Sequence, residues 1–165
     1  MGSGKTTVGR LLARQIGWHF VDLDSRIEES AGLSITAIFE RFGEPGFRDI
    51  EHEELTRTLG EAVEREKSVV VALGGGTIAQ ARNLELLRGT GGLILWLDWP
   101  METLLARCAT RKNRPLFRDE KSFRELFEAR RPFYEQADYR VACNSEPRLV
   151  VSQILALGIL ERVNA

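Results

Sequence analysis

Soft-metal ligands are scarce in this chain of 165 residues, which has two cysteines and two histidines. Cys108 and Cys143 lie far apart, and neither belongs to a C-x-x-C pair. With only His19 and His52 to join them, no Cys/His metal cluster is suggested, and a reduced cytoplasmic setting is the default. Long apolar runs are missing too. None approaches the roughly 20 residues that a membrane-spanning helix needs, and the N-terminus lacks a charged-then-apolar signal pattern. Net charge is only −1, so there is no general field for nucleic acid or anionic lipid. Internal repeats and low-complexity linkers are absent as well.

What is present describes an ordinary globular domain, 43% apolar and 28% charged. A chain of this length fits one domain with a sizeable core. Its 23 basic residues are nearly all arginine, with lysine only at positions 5, 67, 112 and 121. Arginine is favoured where planar oxyanions are gripped by two hydrogen bonds at once. A GC-rich genome would produce the same excess.

Short runs of strong β-formers occur at His19–Asp22, Ser68–Leu73, Leu93–Leu97 and Tyr139–Cys143, with helical patterns between them. The two central runs are continuously apolar, as expected of strands covered on both faces. Strands alternating with helices predict an α/β domain built on a mostly parallel sheet. Over Lys5–Ile16, Val8, Leu11, Leu12 and Ile16 share one stripe and Gly17 follows as a stop. Pro100 is placed to open another helix. Ser122 and Glu125 have capping-box spacing, and Pro147 starts a last helix expected to run to about Val163.

The motif that carries chemistry is at the front. Gly2-Ser3-Gly4-Lys5-Thr6 reads as the second half of a phosphate-binding loop, G-x-x-x-x-G-K-[ST], and it opens a well-patterned helix. The N–H groups of Gly4, Lys5 and Thr6 would then sit at a helix N-terminus, where anions bind. Lys5 would reach the β- and γ-phosphates and the Thr6 hydroxyl would ligate Mg²⁺. The expected ATP-binding set is Gly2, Ser3, Gly4, Lys5, Thr6 and Thr7.

Three further stretches fit a kinase. Asp22 and Asp24, two positions apart after a strand, are expected to project from one face at its C-terminal end, where ligands bind in open parallel sheets. One would help hold Mg²⁺ and the other engage the acceptor hydroxyl, although Asp24 alone also suits a helix N-cap. Gly74, Gly75 and Gly76 follow a strand directly and offer backbone without Cβ, which lets a ligand approach closely. Arg48 and Glu51 are spaced i, i+3 in a helical stretch, which by itself describes a surface pair worth a few tenths of a kcal/mol. From Arg107 to Arg131 there are seven Arg and two Lys against four acidic residues. That segment reads either as a solvated connection or as a basic lid that closes over phosphates.

Taken together, "MGSGKTTVGRLLA", "FVDLDSRIE", "SITAIFERFGEPGFRDIE", "LGGGT", "NRPL" and "ARRPFYEQAD" closely resemble the shikimate kinases in order and spacing, over essentially the whole chain. The resemblance implies a three-layer α/β fold of the P-loop NTPase type, with helices on both faces of a parallel sheet. It implies one kinase domain over 1–165, with the acceptor held by about 25–54 and a lid at about 108–122. The reaction implied is transfer of the γ-phosphoryl group of MgATP to the 3-hydroxyl of shikimate, by a monomer. By that resemblance Asp24 is the candidate base and binds shikimate hydroxyls, and Asp22 supports Mg²⁺ with Thr6. Arg48 and Arg130 grip the shikimate carboxylate, Glu51 orients Arg48, and the middle of the Gly74–Gly76 run offers N–H to the substrate. Phe39 and Phe47 form part of the pocket wall. Arg114 in the lid closes on the ATP phosphates, acting with Lys5, and Arg107 lies against the adenine.

The chain departs from that family at its front. Counting back from Gly4, the first glycine of the loop motif falls two positions before Met1. The family's sheet order is 2-3-1-4-5, and the central strand 1 has no counterpart here. The expectation is that the recorded start is late by roughly ten residues, about one strand and its turn. Its absence should leave a slot of roughly 10 Å, two strand spacings, between the strands at Ser68–Leu73 and Leu93–Leu97. Bare edges there would cost about 1–3 kcal/mol per unpaired group, against a typical total stability of about 5–15 kcal/mol.

Two rival readings remain at this stage. A gluconate-kinase-like enzyme would share loop and lid but not require Asp24, Arg48 and Arg130. A binding module that has lost catalysis would not need Lys5, Thr6, Asp22 and Asp24 together. Nucleic-acid binding is disfavoured because the positive charge is confined to one stretch without a stacking array.

Overall fold

The computed structural model describes residues 2–109 and 119–159. The four β-runs become strands where the sequence places them, the first unchanged, the third moved to Leu95–Asp98 and the other two trimmed by a residue at one or both ends. β1 (His19–Asp22) pairs in parallel with β2 (Val69–Ala72), in register from His19 opposite Val69 to Asp22 opposite Ala72. β3 (Leu95–Asp98) pairs in parallel with β4 (Tyr139–Ala142). Helices intervene in chain order: α1 (Lys5–Ile16), α2 (Leu23–Ala31), α3 (Ile35–Glu64), α4 (Ala81–Gly89), α5 (Met101–Ala109), α6 (Glu120–Tyr134) and α7 (Pro147–Ala156). A short 3₁₀ turn, Thr77–Ala79, follows the glycine run.

Two hydrophobic cores cover opposite faces of the strands. Val8 and Leu12 of α1 pack with Leu104, Phe123, Val141, Val150 and Ile154 on one side. Leu23, Ile27, Ile38, Phe47, Leu55 and Leu84 of α2, α3 and α4 form the other. Strand alternation divides neighbours between them, with Val70 turned to the first core and Val71 to the second. This is the three-layer α/β arrangement expected of the chain.

Among the described residues β2 pairs only with β1, and β3 only with β4. The facing edges of β2 and β3 therefore have no strand between them. In that position lies a cavity of about 460 Å³, lined by Val8 and Leu12 of α1, Val69 and Val71 of β2, and Leu95 and Leu97 of β3. The expected slot is present, and it is apolar. α1 spans it from one side, packing on β1, β2 and α7.

Local signals held in part. α1 ends at Gly17, whose φ of 74° is left-handed and whose N–H reaches the Ala13 carbonyl. Pro147 is the first residue of α7, but that helix ends at Ala156, and residues after 159 lie outside the described residues. The capping box sits one turn earlier than its sequence pattern suggested. Asp119 caps α6 by accepting from the Ser122 N–H at 2.8 Å, and Ser122 Oγ accepts from the Asp119 N–H at 3.1 Å. Ser122 thus closes the box as the third residue after the cap, and Asp119 starts it. An aspartate is as good a cap as serine, so the earlier start satisfies the helix end equally. α3 is broken at Gly43 (φ 68°, ψ −178°), a conformation only glycine adopts without strain. No helix among the described residues is long and apolar enough to cross a membrane.

Filling the slot should raise stability. Lengthening the chain before residue 1 with five apolar β-formers and a glycine-containing turn supplies side chains to the cavity and backbone to both edges. We expect Tm to rise by roughly 5 °C or more, because about 1 kcal/mol moves Tm by about 2–4 °C at this size. An extension of equal length in serine and glycine is the control. Equal melting of the two lengthened chains would show that the cavity does not accept a strand.

Candidate active site

The phosphate loop precedes α1 and is tied down at both ends. Gly4 caps the helix at φ 73°, and its carbonyl accepts from the Val8 N–H at 2.9 Å. The first turn of α1 holds no acidic residue of its own, which leaves its N–H groups and positive dipole end suited to an anion. Upstream, the Trp99 indole N–H donates to the Ser3 carbonyl at 2.9 Å, and Arg107 Nη1 donates to the Gly2 carbonyl at 3.4 Å. The Arg107 guanidinium lies 3.8 Å above the Trp99 ring, a cation–π contact. Lys5 Nζ lies 3.4 Å from Ser3 Oγ, and Thr6 and Thr7 are exposed.

The structure joins Thr6 to Asp22. The Thr6 hydroxyl donates to Asp22 Oδ2 at 2.6 Å, while Asp22 Oδ1 accepts from the Ser25 N–H at 3.3 Å and so caps α2. Two details of the sequence reading change. The cap is Asp22, and Asp24 lies in the first turn of α2 rather than on the strand, because the helix begins at Leu23. The two carboxylates still share the C-terminal end of β1. A β-carbon added to Gly74 would lie 3.1 Å from Asp24 Oδ1, which puts Asp24 against the glycine run.

The second half of the site is built on α3 and α6. Arg48 and Glu51 are not a surface pair: Arg48 is 7% exposed and Glu51 fully buried. Arg48 Nη1 donates to Glu51 Oε2 at 2.8 Å, and Arg48 Nη2 donates to Glu44 Oε1 at 2.9 Å. Burial pulls the Arg48 pKa down, but attraction and hydrogen bonding to Glu51, and then Glu44, more than offset it and leave it above the ordinary value. Arg130 of α6 is 8% exposed. A β-carbon added to Gly76 would lie 2.5 Å from Arg48 Nη2 and 3.0 Å from Arg130 Nη2. Two guanidinium groups thus converge on a backbone that can hold no side chain. Phe39 and Phe47 stack beside them with ring centroids 4.6 Å apart.

Several supporting residues escaped the sequence reading. Tyr134, one turn after Arg130, donates its hydroxyl to the Gly75 carbonyl at 2.6 Å. Burial raises its pKa, which nearby Arg130 partly counters. Thr77 donates to Glu51 at 2.7 Å, and Arg82 donates to the Arg48 carbonyl at 2.9 Å. Tyr134 had a signal, since i, i+4 spacing places it on the face of Arg130. Trp99 and Thr77 had none, because their partners are distant backbone and a distant carboxylate. Arg114 and the "NRPL" segment lie outside the described residues.

The sequence profile of shikimate kinases matches residues 1–157. Among curated relatives, the shikimate kinase of Persephonella marina is 42% identical over 157 residues, covering 94% of this chain and 92% of its own. That of Synechococcus sp. CC9605 is 44% identical, over 95% of this chain and 78% of its own. Among solved structures, the shikimate kinase from Acinetobacter baumannii in complex with shikimate superposes with a TM-score of 0.88 at 39% identity, covering 98% and 89% of the two chains. The shikimate kinase from Aquifex aeolicus gives 0.81 at 39% identity, covering 94% and 90%.

The buried ion pair yields a stability test. Glu51→Ala leaves the Arg48 guanidinium buried with only exposed Glu44 beside it, and should cost about 3–5 kcal/mol in denaturant unfolding. Arg124→Ala, in the exposed cluster with Glu102 and Glu120, should leave the unfolding curve essentially unmoved. Similar losses for both would mean that burial does not set the strength of the Arg48 pair.

Proposed function

The chain belongs to the shikimate kinase family, and from that premise we propose how its residues divide the work of the family's reaction. That reaction is ATP-dependent phosphorylation of the shikimate 3-hydroxyl, a step of aromatic amino acid biosynthesis. The observation that carries our assignment is the convergence of Arg48 and Arg130 on Gly76 while Asp24 abuts Gly74. An acid acceptor with several hydroxyls needs such a place, with paired cations for its carboxylate and a carboxylate for its hydroxyls. The solved Acinetobacter enzyme was captured with shikimate, which supports reading this pocket as the acceptor site.

In our reading the loop amides of Gly2, Ser3, Gly4, Lys5, Thr6 and Thr7 cradle the ATP phosphates. Lys5 places its ammonium at the β- and γ-phosphates, where charge on the transferred group spreads over its oxygens. Asp24 accepts the proton of the attacking 3-hydroxyl, and Gly75 directs a backbone N–H at the acid. Phe39 and Phe47 wall the apolar face of the ring, and Glu51 keeps Arg48 aimed. Arg107, flat on Trp99, presents its outer face to the adenine. Arg114, with the lid, closes over the phosphates and excludes water.

Thr6 and Asp22 fit Mg²⁺. Both are hard oxygen donors, already side by side, and few in number, as suits an ion that keeps several waters. When bound, the ion would neutralise charge on the phosphate oxygens. We read the chain as a monomer of the cytoplasm serving small molecules alone. Near-zero net charge supports the absence of a nucleic-acid or lipid partner, and two free, buried cysteines support the reducing setting.

The test is turnover. The full chain with MgATP should phosphorylate shikimate and not gluconate, measured as ADP release. Arg48→Ala should raise the shikimate KM by roughly tenfold or more, the loss of a charge-assisted contact. Asp24→Asn should instead lower kcat by about 10²–10⁴-fold as a general base is removed. Turnover of gluconate without shikimate would overturn the acceptor assignment. Arg114→Ala should slow phosphoryl transfer far more than it weakens shikimate binding. Weakened ATP and shikimate binding at unchanged kcat would remove Arg114 from that role.

A further inference from the structure

A fully buried carboxylate with two well-defined partners controls where its neighbours point. Glu51 Oε2 receives Arg48 Nη1 at 2.8 Å, and its other oxygen, Oε1, receives the Thr77 hydroxyl at 2.7 Å. Thr77 is itself fully buried. Its N–H reaches the Gly74 carbonyl at 3.3 Å, and its carbonyl accepts from Asn83 Nδ2 at 3.1 Å. Asn83, also fully buried, uses its Oδ1 for His52 Nδ1 at 2.7 Å. Since the Asn83 amide nitrogen is spent on Thr77, its oxygen is the acceptor and His52 Nδ1 bears the proton. The result is one chain of hydrogen bonds, His52 to Asn83 to Thr77 to Glu51, with Arg48 donating from the opposite side.

We propose that Thr77 is a positioning residue for the acceptor's carboxylate, acting through Glu51 on Arg48. The physical argument is directional. With its Oε1 held by Thr77, Glu51 meets Arg48 through Oε2, and Arg48 Nη2, which also donates to Glu44 Oε1 at 2.9 Å, stays turned toward Gly76. Without the Thr77 hydroxyl, Oε1 becomes a buried anionic oxygen lacking a donor, a costly state. Arg48, already bonded to Oε2, is a donor that can relieve it, and a carboxylate freed to rotate takes a guanidinium in two parallel hydrogen bonds. Arg48 would then turn into the α3 side and away from the glycine run. Thr77 therefore sets affinity for the acid acceptor without touching it, and it immediately follows the glycines that do. This rests on the reading of Arg48 as a carboxylate grip.

Thr77→Val keeps the shape and removes the hydroxyl. In the full chain it should raise the shikimate KM about five- to tenfold, the size of one loosened charge-assisted hydrogen bond, with the ATP KM and kcat within about twofold. Thr77→Ser, which restores the donor, should return the shikimate KM to its original value. If the valine variant does not fold, Thr77→Ala against Thr77→Ser provides the same comparison, and melting curves report the folded fraction. In an Arg48→Lys background, which lacks the bidentate fork, Thr77→Val should add little to the shikimate KM. An unchanged shikimate KM in Thr77→Val, an equal rise for ATP, or a serine variant as impaired as the valine would each overturn the proposal. Should Arg48→Lys itself leave the shikimate KM unchanged, the carboxylate grip fails, and that result is separable from any effect of Thr77.

Discussion

A guanidinium can be taken out of water only if a carboxylate goes with it, and the pocket proposed for the acceptor is arranged around that requirement. Arg48 is buried because Glu51 is buried beside it, one turn further along α3. Glu51 in turn is held there by a donor on each oxygen, Arg48 on one and Thr77 on the other. Such a pair contributes little net stability against its desolvation. What it contributes is direction, since Arg48 Nη2 is left against Gly76. The Gly74–Gly76 run must lack side chains for the same reason: a β-carbon at Gly76 would collide with Arg48, and one at Gly74 would crowd Thr77, Asp24 and Glu51.

The loop proposed for the phosphates has a different logic, in which backbone rather than side chains would bind. The loop amides are useful only when held in one conformation, because ordering a loose segment costs about 1–2 kcal/mol per residue. Trp99 and Arg107 supply that constraint from α5 and its approach, each donating to a loop carbonyl. Ser3 is buried, and the Gly2 and Ser3 carbonyls are both satisfied. The loop's upstream anchor thus lies about a hundred positions away in the chain, beyond the reach of any local motif.

How much was legible follows from which interactions are local. The two central strands came directly from apolar runs, because strands covered on both faces have no polar residue to blur them. Gly17 marked the end of α1 because a left-handed cap demands glycine. Arg48, Arg130, Asp24 and the glycines were found through motif resemblance, and the fold brings them together. The slot between β2 and β3 was foreseen from the family's strand order and is present as an apolar cavity. Burial of the Arg48–Glu51 pair was not legible, since i, i+3 spacing looks the same on a surface and in a core. The capping box was misplaced because Asp119 and Ser122 are both good caps, and propensity alone does not choose between them.

The two hydrophobic cores have a consequence for descent. Val8, Leu12, Leu104 and Val150 support the phosphate loop and α5, whereas Leu23, Ile38, Phe47 and Leu55 support the acceptor residues of α2 and α3. Changes in one core are felt chiefly by the elements it carries. A lineage is therefore free to reshape its acceptor pocket by substitution on α2, α3 and α4 while inheriting the phosphoryl-transfer apparatus unaltered. Among the described helices only α6, which sends Phe123 into the first core and Phe133 against the second, joins the strands in tying the two histories together.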